Sequence, residues 1–87
     1  MRAIDEKERI ADLLERAVQA GELTLFIGGE TGLADGEGLA VVAAPYMRRG
    51  EVVGAVGVIG PSRMAYGRVI PIVDYTARML SRTFAPD

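Results

Sequence analysis

Two apolar runs joined by a three-residue connection constrain the fold of this chain more than any other feature. Leu39 to Met47 and Glu51 to Ile59 flank Arg48-Arg49-Gly50, and strand-forming runs with a short glycine-containing connection are typical of a β-hairpin. Gly50 suits the positive-φ position of a tight hairpin loop. Because Pro45 has no backbone N–H, we expect the first strand either to lie at a sheet edge or to carry a bulge near its end.

The second run is apolar on both faces. It reads Val52-Val53-Gly54-Ala55-Val56-Gly57-Val58-Ile59-Gly60, without the polar alternation of a half-buried strand. Continuous apolar runs are typical of strands that are covered on both sides. We therefore predict that this is the central strand, that its glycines meet close neighbours, and that part of its cover lies outside the chain.

An amphipathic helix is predicted near the start of the chain. Its apolar residues recur every three or four positions and so share one face: Ile10, Leu13, Leu14, Ala17 and Val18. Asp5 and Glu8 have the spacing of a capping box, and Gly21 provides a left-handed stop. The opposite face is expected to be solvated, and it holds Glu6, Arg9, Asp12 and Arg16.

A second helix is predicted after the hairpin, with Ser62 as its N-cap and its end near Thr83. One face is expected to lie on the sheet, and it holds Tyr66, Ile70, Val73, Ala77, Leu80 and Phe84. Pro71 cannot donate a hydrogen bond to the carbonyl of Gly67, so we expect a kink near Gly67.

A short strand, Leu23 to Ile27, and a glycine-rich loop that ends near Gly38 are predicted before the hairpin. The glycines make this loop the segment that we expect to be most mobile. The element order is then α-β-β-β-α, an α+β fold with an antiparallel sheet of about three strands and a helix at each end. A chain of 87 residues is expected to form a single domain, residues 1–87.

Composition excludes several classes of site. The chain has no Cys and no His, which removes disulfides, zinc fingers, Cys-His chemistry and Ser-His-Asp triads. We therefore expect neither an enzyme nor a metal or other cofactor. No apolar run approaches the length of a membrane span, so no membrane partner and a cytoplasmic location are expected. The net charge of -2 does not favour a nucleic-acid-binding arm.

Three groupings resemble binding sites but fit simpler interpretations better. The glycines of the second apolar run lack the spacing of a dinucleotide fingerprint or a P-loop. The acidic residues Glu30, Asp35 and Glu37 lack the alternation of a calcium loop and are expected to be solvated. Several arginines have no interleaved exposed aromatic residues and are interpreted as solubilising charges: Arg48, Arg49, Arg68, Arg78 and Arg82.

The junction between the second apolar run and the last helix is the richest in chemistry. It reads Gly60-Pro61-Ser62-Arg63-Met64-Ala65-Tyr66. The fixed donors of Arg63 suit three roles, which are to bridge backbone carbonyls, to pair with an acid such as Glu30, or to bind an anionic ligand. An architectural clamp is favoured over a ligand site. The candidate residues for either role are Gly60, Pro61, Ser62, Arg63 and Tyr66.

The same segment carries a family resemblance. Residues Val56 to Pro71, preceded by Tyr46 and Gly50-Glu51-Val52-Val53-Gly54, closely resemble the C-terminal signature of the heat-inducible transcription repressor HrcA family. Leu25-Phe26-Ile27-Gly28-Gly29-Glu30 is similar to a strand of that family that ends in Ile-Gly. The chain departs from the family at Ala65, where an acidic residue is common.

The resemblance implies that the chain is the C-terminal portion, about half, of a GAF-like regulatory domain. It also implies that the winged helix-turn-helix that reads operator DNA is absent from these residues and lies in a missing N-terminal domain. The family's repressors dimerise, respond to heat shock and are maintained by the GroEL chaperonin. Self-association or association with the remainder of the parent repressor is therefore expected.

Two functions follow as hypotheses. The first is a regulatory and dimerisation module of a heat-shock transcriptional repressor, which senses stress through a marginal fold. The second is a GAF-like sensor domain that binds a small molecule in a hollow between the sheet and the Gly28 to Gly38 loop.

Overall fold

The fold is described by a computed structural model that covers residues 6–33 and 38–83. The predictions that concern Asp5, Asp35, Glu37 and Phe84 fall outside these residues. These described residues form two helices and three strands, with a short 3₁₀ turn at Gly28–Thr31. In chain order they are α1 Glu6–Ala20, β1 Thr24–Ile27, β2 Leu39–Arg48, β3 Glu51–Pro61 and α2 Tyr66–Thr83. The predicted α+β fold and element order are confirmed.

The sheet is antiparallel in the order β1-β2-β3, so β2 is its central strand. Thr24 of β1 pairs with Ala43, and Gly57 of β3 pairs with the same residue from the other side. The prediction that the second apolar run is central is therefore wrong. In a meander of three strands, the strand that is second along the chain has a neighbour on each side, whatever the composition of the third.

The helices cover opposite faces of the sheet and give three layers. On one face, here called the α1 face, helix α1 packs on β2 through Leu13 and Ala17 against Val41 and Ala43. On the other, here called the α2 face, Val73 and Ala77 of α2 pack against Val42 and Ala44. Successive strand residues point to opposite faces, so a single strand supplies both cores.

Helix α1 ends as predicted. Gly21 adopts φ +71°, and its N–H donates to the carbonyls of Ala17 at 3.1 Å and Val18 at 3.2 Å. The prediction that Arg9 is solvated with the other charged residues is wrong, because its side chain is half-buried and lies over Gly32. A Cβ built on Gly32 would stand 2.8 Å from the Arg9 Cδ atom. The Arg9 side chain therefore packs against the backbone of Gly32.

The β2–β3 hairpin has a two-residue turn in which both residues have positive φ, Arg49 at 54° and Gly50 at 82°. The pairing of β2 and β3 shifts register between Tyr46 and Met47. Both alternatives for Pro45 are wrong, because β2 is the central strand and the extra residue at the register shift is Val53 of β3. Opposite this bulge, the Met47 N–H of β2 donates to the Ser81 hydroxyl of α2 at 2.9 Å.

Close approach at the β3 glycines is confirmed, most clearly at Gly54. This residue pairs with Tyr46 across the hairpin. A Cβ built on Gly54 would lie 2.5 Å from the Tyr46 hydroxyl oxygen and 2.6 Å from Cζ. The tyrosine ring thus lies across the glycine and covers the strand where it has no side chain of its own.

Helix α2 begins at Tyr66, so the prediction that Ser62 is its N-cap is wrong. The Met64 N–H donates to the Pro61 carbonyl at 2.9 Å, and this turn delays the helix until after Ala65. The helix continues through Pro71 to Thr83, and the kink near Gly67 stays a prediction. Tyr66, Ile70, Val73 and Ala77 share the sheet-facing side as predicted.

Candidate functional site

The β3–α2 junction brings the predicted site residues Gly60, Pro61, Ser62, Arg63 and Tyr66 into one turn. Its backbone is held from outside by the Ser62 N–H, which donates to the Gly38 carbonyl at 2.9 Å. Gly60 is covered by Met64, whose Cε atom would lie 3.3 Å from a Cβ at that position. The turn therefore ties the end of β3 both to the start of β2 and to the start of α2.

Tyr66 is the side chain that clamps this junction. Its hydroxyl donates to the Ser62 carbonyl at 2.7 Å, while its ring packs with the α2-face core. A carbonyl in a turn needs such a donor when the helix that follows does not supply one. The junction therefore has a built-in anchor that comes from the first turn of α2.

Arg63 is exposed, and it makes no hydrogen bond or ion pair within residues 6–33 and 38–83. Glu30, one of the partners considered for it, instead accepts a hydrogen bond from the Ile27 N–H at 3.0 Å. Two of the roles predicted for Arg63, bridging backbone carbonyls and pairing with an acid, are intramolecular, and neither is observed among the described residues. Arg63 is not among the residues that line the hollow described below.

The described part of the glycine-rich loop is a 3₁₀ turn with satisfied polar groups. Thr31 is fully buried, and its hydroxyl donates to the Gly28 carbonyl at 2.9 Å and accepts from the Leu33 N–H at 3.2 Å. Within the described ranges, no group of three or more acidic side chains is placed to hold a metal ion. This segment is built as a structural turn.

A small hollow opens on the α1 face beside β3. Its volume is about 80 Å³ and its lining is aliphatic: Ile10, Leu13, Leu14, Val41, Gly57 and Ile59. Ligand pockets for small molecules usually span roughly 300–1,000 Å³ and include a few polar groups. The hollow lies between α1 and the strands, away from the loop where a ligand was considered.

The outer edge of β3 is the feature that sequence reasoning missed. It has no neighbouring strand among the described residues, and three of its large apolar side chains are exposed: Val53 at 52%, Val58 at 38% and Ile59 at 44%. The order of the strands along the chain could have predicted this edge, because the last strand of an antiparallel meander has a neighbour on one side only.

Helix α2 carries a second exposed apolar stripe that was also missed. Ile72, Tyr75 and Met79 are spaced three and four residues apart and are 60%, 64% and 40% exposed. They lie on the side of the helix that faces away from the sheet. The arginines considered as a patch are divided between the hairpin tip and α2, and Arg78 pairs with Asp74 at 3.1 Å.

Known proteins resemble this chain in sequence over nearly all of its length. The family model described as HrcA protein C-terminal domain matches residues 1–70. A heat-inducible transcription repressor HrcA of Sorangium cellulosum strain So ce56 is 51% identical over 83 residues. One from Geobacter sulfurreducens is 47% identical over 81 residues. In both comparisons the match covers 93% of this chain and 24% of the relative.

Structural comparison agrees with the fold. A crystal structure of a hypothetical protein at 2.2 Å resolution superposes with a TM-score of 0.72 and 23% identity, over 90% of this chain and 24% of that one. No helix in the described part of the chain is long and apolar enough to cross a membrane. The chain spans about a quarter of the length of its curated relatives. On the extent of the family match and the identity to these relatives, the chain belongs to the HrcA family, and its match lies in the C-terminal domain of that family.

Proposed function

We propose that this chain is the regulatory and self-association module of a heat-inducible transcription repressor. The observation that carries the proposal is the edge of β3, which has no neighbouring strand among the described residues, in a chain that is about 50% identical to repressors of that name. A long strand edge with exposed valines and isoleucine is a surface that native proteins usually cover. The proposed function of the module is therefore assembly rather than catalysis.

Operator DNA is assigned to the part of the longer repressor that lies outside this chain. Proteins that bind DNA gain much of their affinity by neutralising phosphates with clustered Lys and Arg. This chain has a net charge of -2, and the exposed arginines among its described residues are spread over α1, the hairpin tip, the β3–α2 junction and α2. We place the chain in the C-terminal portion of a GAF-like domain, residues 1–87, in a cytoplasmic repressor.

Heat sensing follows from marginal stability. A domain of this size is stabilised by only about 5–15 kcal/mol, and binding to a second copy adds to that stability by mass action. Mild heating then shifts molecules from the assembled repressor to an unfolded form, which the GroEL chaperonin binds. Repression falls as the assembled fraction falls.

A chimera tests this function. The segment of the Geobacter sulfurreducens repressor that aligns with this chain is replaced by the 87 residues, and a reporter under its operator is measured before and after a temperature step. We expect repression at growth temperature and release on heating. The matched control carries Leu13→Ala, which removes a buried side chain of the α1-face core and should release repression at a lower temperature.

Two outcomes contradict the proposal. One is a chimera that accumulates as folded protein and binds operator but never represses. The other is a Leu13→Ala chimera whose release temperature equals that of the parent chimera, since a stability sensor must follow the stability of its fold.

A further inference from the structure

We propose that Arg9 lowers the temperature at which this domain unfolds, and so sets the temperature at which the repressor releases its operator. The responsible group is the guanidinium Nε–H, which is buried against Gly32 without a hydrogen-bond acceptor. The inference rests on the heat-sensing part of the proposed function and adds the residue that adjusts it.

Arg9 lies at the margin of the buried side of α1. It precedes Leu13 and Ala17 by four and eight residues, a spacing that places side chains one above another along a helix. Leu13 and Ala17 are fully buried in the α1-face core, and Arg9 is half-buried. A charged side chain therefore stands one helical turn from the core, where an apolar side chain would extend it.

The inner part of the Arg9 side chain packs against main chain instead of a hydrogen-bond acceptor. A Cβ built on Gly32 would stand 2.8 Å from both Cδ and Nε of Arg9 and 3.0 Å from Cζ. The next residue, Leu33, is buried in the α1-face core. The Nε atom is itself buried and makes no hydrogen bond within the part of the chain that the structure describes. An N–H that loses its hydration without gaining an acceptor destabilises the folded state.

The acids that could compensate this donor have other partners. Asp12, three residues later in α1, pairs with Arg16 at 3.1 Å between Oδ2 and Nη2. Glu30 accepts a hydrogen bond from the Ile27 N–H at 3.0 Å. No ion pair joins Arg9 to an acid within residues 6–33 and 38–83. The cost of burying the Nε–H is therefore not offset locally.

The aliphatic stem of Arg9 has the opposite effect on stability. It covers Gly32 and excludes water there, as the stems of long charged side chains often do. An unbranched side chain without a nitrogen at the Nε position would cover the same surface. The stem and the Nε–H can therefore be separated by substitution.

Thermal unfolding of Arg9→Lys and Arg9→Met tests the role of the Nε–H. Lys has a methylene where Arg9 has Nε and keeps a charge at its end, whereas Met removes both the donor and the charge. We expect Tm to rise in both variants by about 4–8 °C, the scale expected for relief of one unsatisfied buried donor in a domain of this size. The measurement is helical circular dichroism at fixed protein concentration.

Two outcomes of this experiment overturn the proposal. A lower Tm in both variants would make Arg9 a stabilising residue. A higher Tm in Arg9→Met alone would assign the effect to the charge, because a cation near the N-terminus of a helix is unfavourable.

Arg16 provides the matched control on the same helix. Its side chain is 57% exposed and is paired with Asp12, so neither Arg16→Lys nor Arg16→Met should raise Tm. An equal rise at both positions would show a general effect of removing arginine from α1, and it would overturn the assignment to Arg9.

The chimera described above connects stability to repression. With Arg9→Lys, we expect reporter release to begin at a temperature that is higher by about as many degrees as the rise in Tm. A release temperature that stays unchanged while Tm rises overturns the role of Arg9. The Leu13→Ala chimera separates the two proposals. If it still releases at a lower temperature, this inference alone is rejected, and if it does not, the proposed function fails as well.

Discussion

Ala65 occupies the N-cap position of α2, where a better residue is available. Its carbonyl accepts from the Val69 N–H at 3.0 Å, yet its methyl group cannot accept from the free N–H groups of the first turn. We expect Ala65→Asp to stabilise the chain by about 1 kcal/mol, measured by urea denaturation at fixed protein concentration. Ala65→Asn separates the cap from the helix dipole. If neither variant raises the midpoint, the helix does not begin where the hydrogen bonds place it.

Ser81 joins α2 to β2 at Met47, opposite the bulge in β3. Its hydroxyl accepts from the Met47 N–H at 2.9 Å and donates to the Ala77 carbonyl at 2.9 Å. Ser81→Ala leaves the Met47 amide without its protein partner, so we expect a loss of about 1 kcal/mol of unfolding free energy. Thr76→Ala is the control, since Thr76 bonds only to the Ile72 carbonyl within its own helix. Equal losses in both variants would mean that the cross-element bond adds nothing.

At the scale of elements, the hairpin turn carries avoidable backbone strain. Arg49 has φ 54°, a left-handed conformation that costs most residues with a Cβ roughly 1–2 kcal/mol. Asn tolerates it better and Asn-Gly is the preferred pair for this turn. Arg49→Asn should therefore raise the urea midpoint. Arg48→Asn, one residue earlier in extended backbone, should not. A midpoint raised equally by both variants would point to a charge effect instead.

The same scale shows how strand order overrides composition. β2 has residues buried on both faces from Ala40 to Ala44, while the more glycine-rich β3 remains half exposed. A strand buries both faces when it has a helix above, a helix below and a neighbour on each side. β3 has a neighbouring strand on one side only among the described residues, and its valines and isoleucine are correspondingly more exposed.

At the scale of the whole molecule, the two cores should melt together because β2 supplies both. Leu13→Ala creates a cavity on the α1 face and is expected to cost about 2–5 kcal/mol. Tyrosine fluorescence reports on the α2 side of the sheet, because Tyr46 and Tyr66 pack in the α2-face core, Tyr75 lies on α2, and the chain has no Trp. In Leu13→Ala we expect the urea midpoints measured by tyrosine fluorescence and by helical circular dichroism to fall together.

Ile72→Ala is the control for this experiment. Its side chain is 60% exposed, so its removal should change stability by less than about 0.5 kcal/mol. If Leu13→Ala loses helix signal first while the tyrosine transition stays in place, the two cores are independent, and stability sensing by one cooperative unit is contradicted.

The sequence by itself determined the elements and the family. Helical spacing from Ile10 to Val18, the stop at Gly21 and the turn at Gly50 are local properties, set by side-chain periodicity and backbone sterics within a few residues. The run from Val56 to Pro71 likewise carried the resemblance before any fold was known.

Only the tertiary structure decided which strand is central, what covers each side chain and which surface stays open. Ser62 has good N-cap chemistry, but its N–H is bonded to the distant Gly38 carbonyl and the helix begins only at Tyr66. Arg9 looks solvated by spacing, but it lies on Gly32 from another element. These outcomes depend on contacts between residues far apart in the chain. The pattern of apolar residues predicts which side chains are buried, but it does not identify the residues against which they pack.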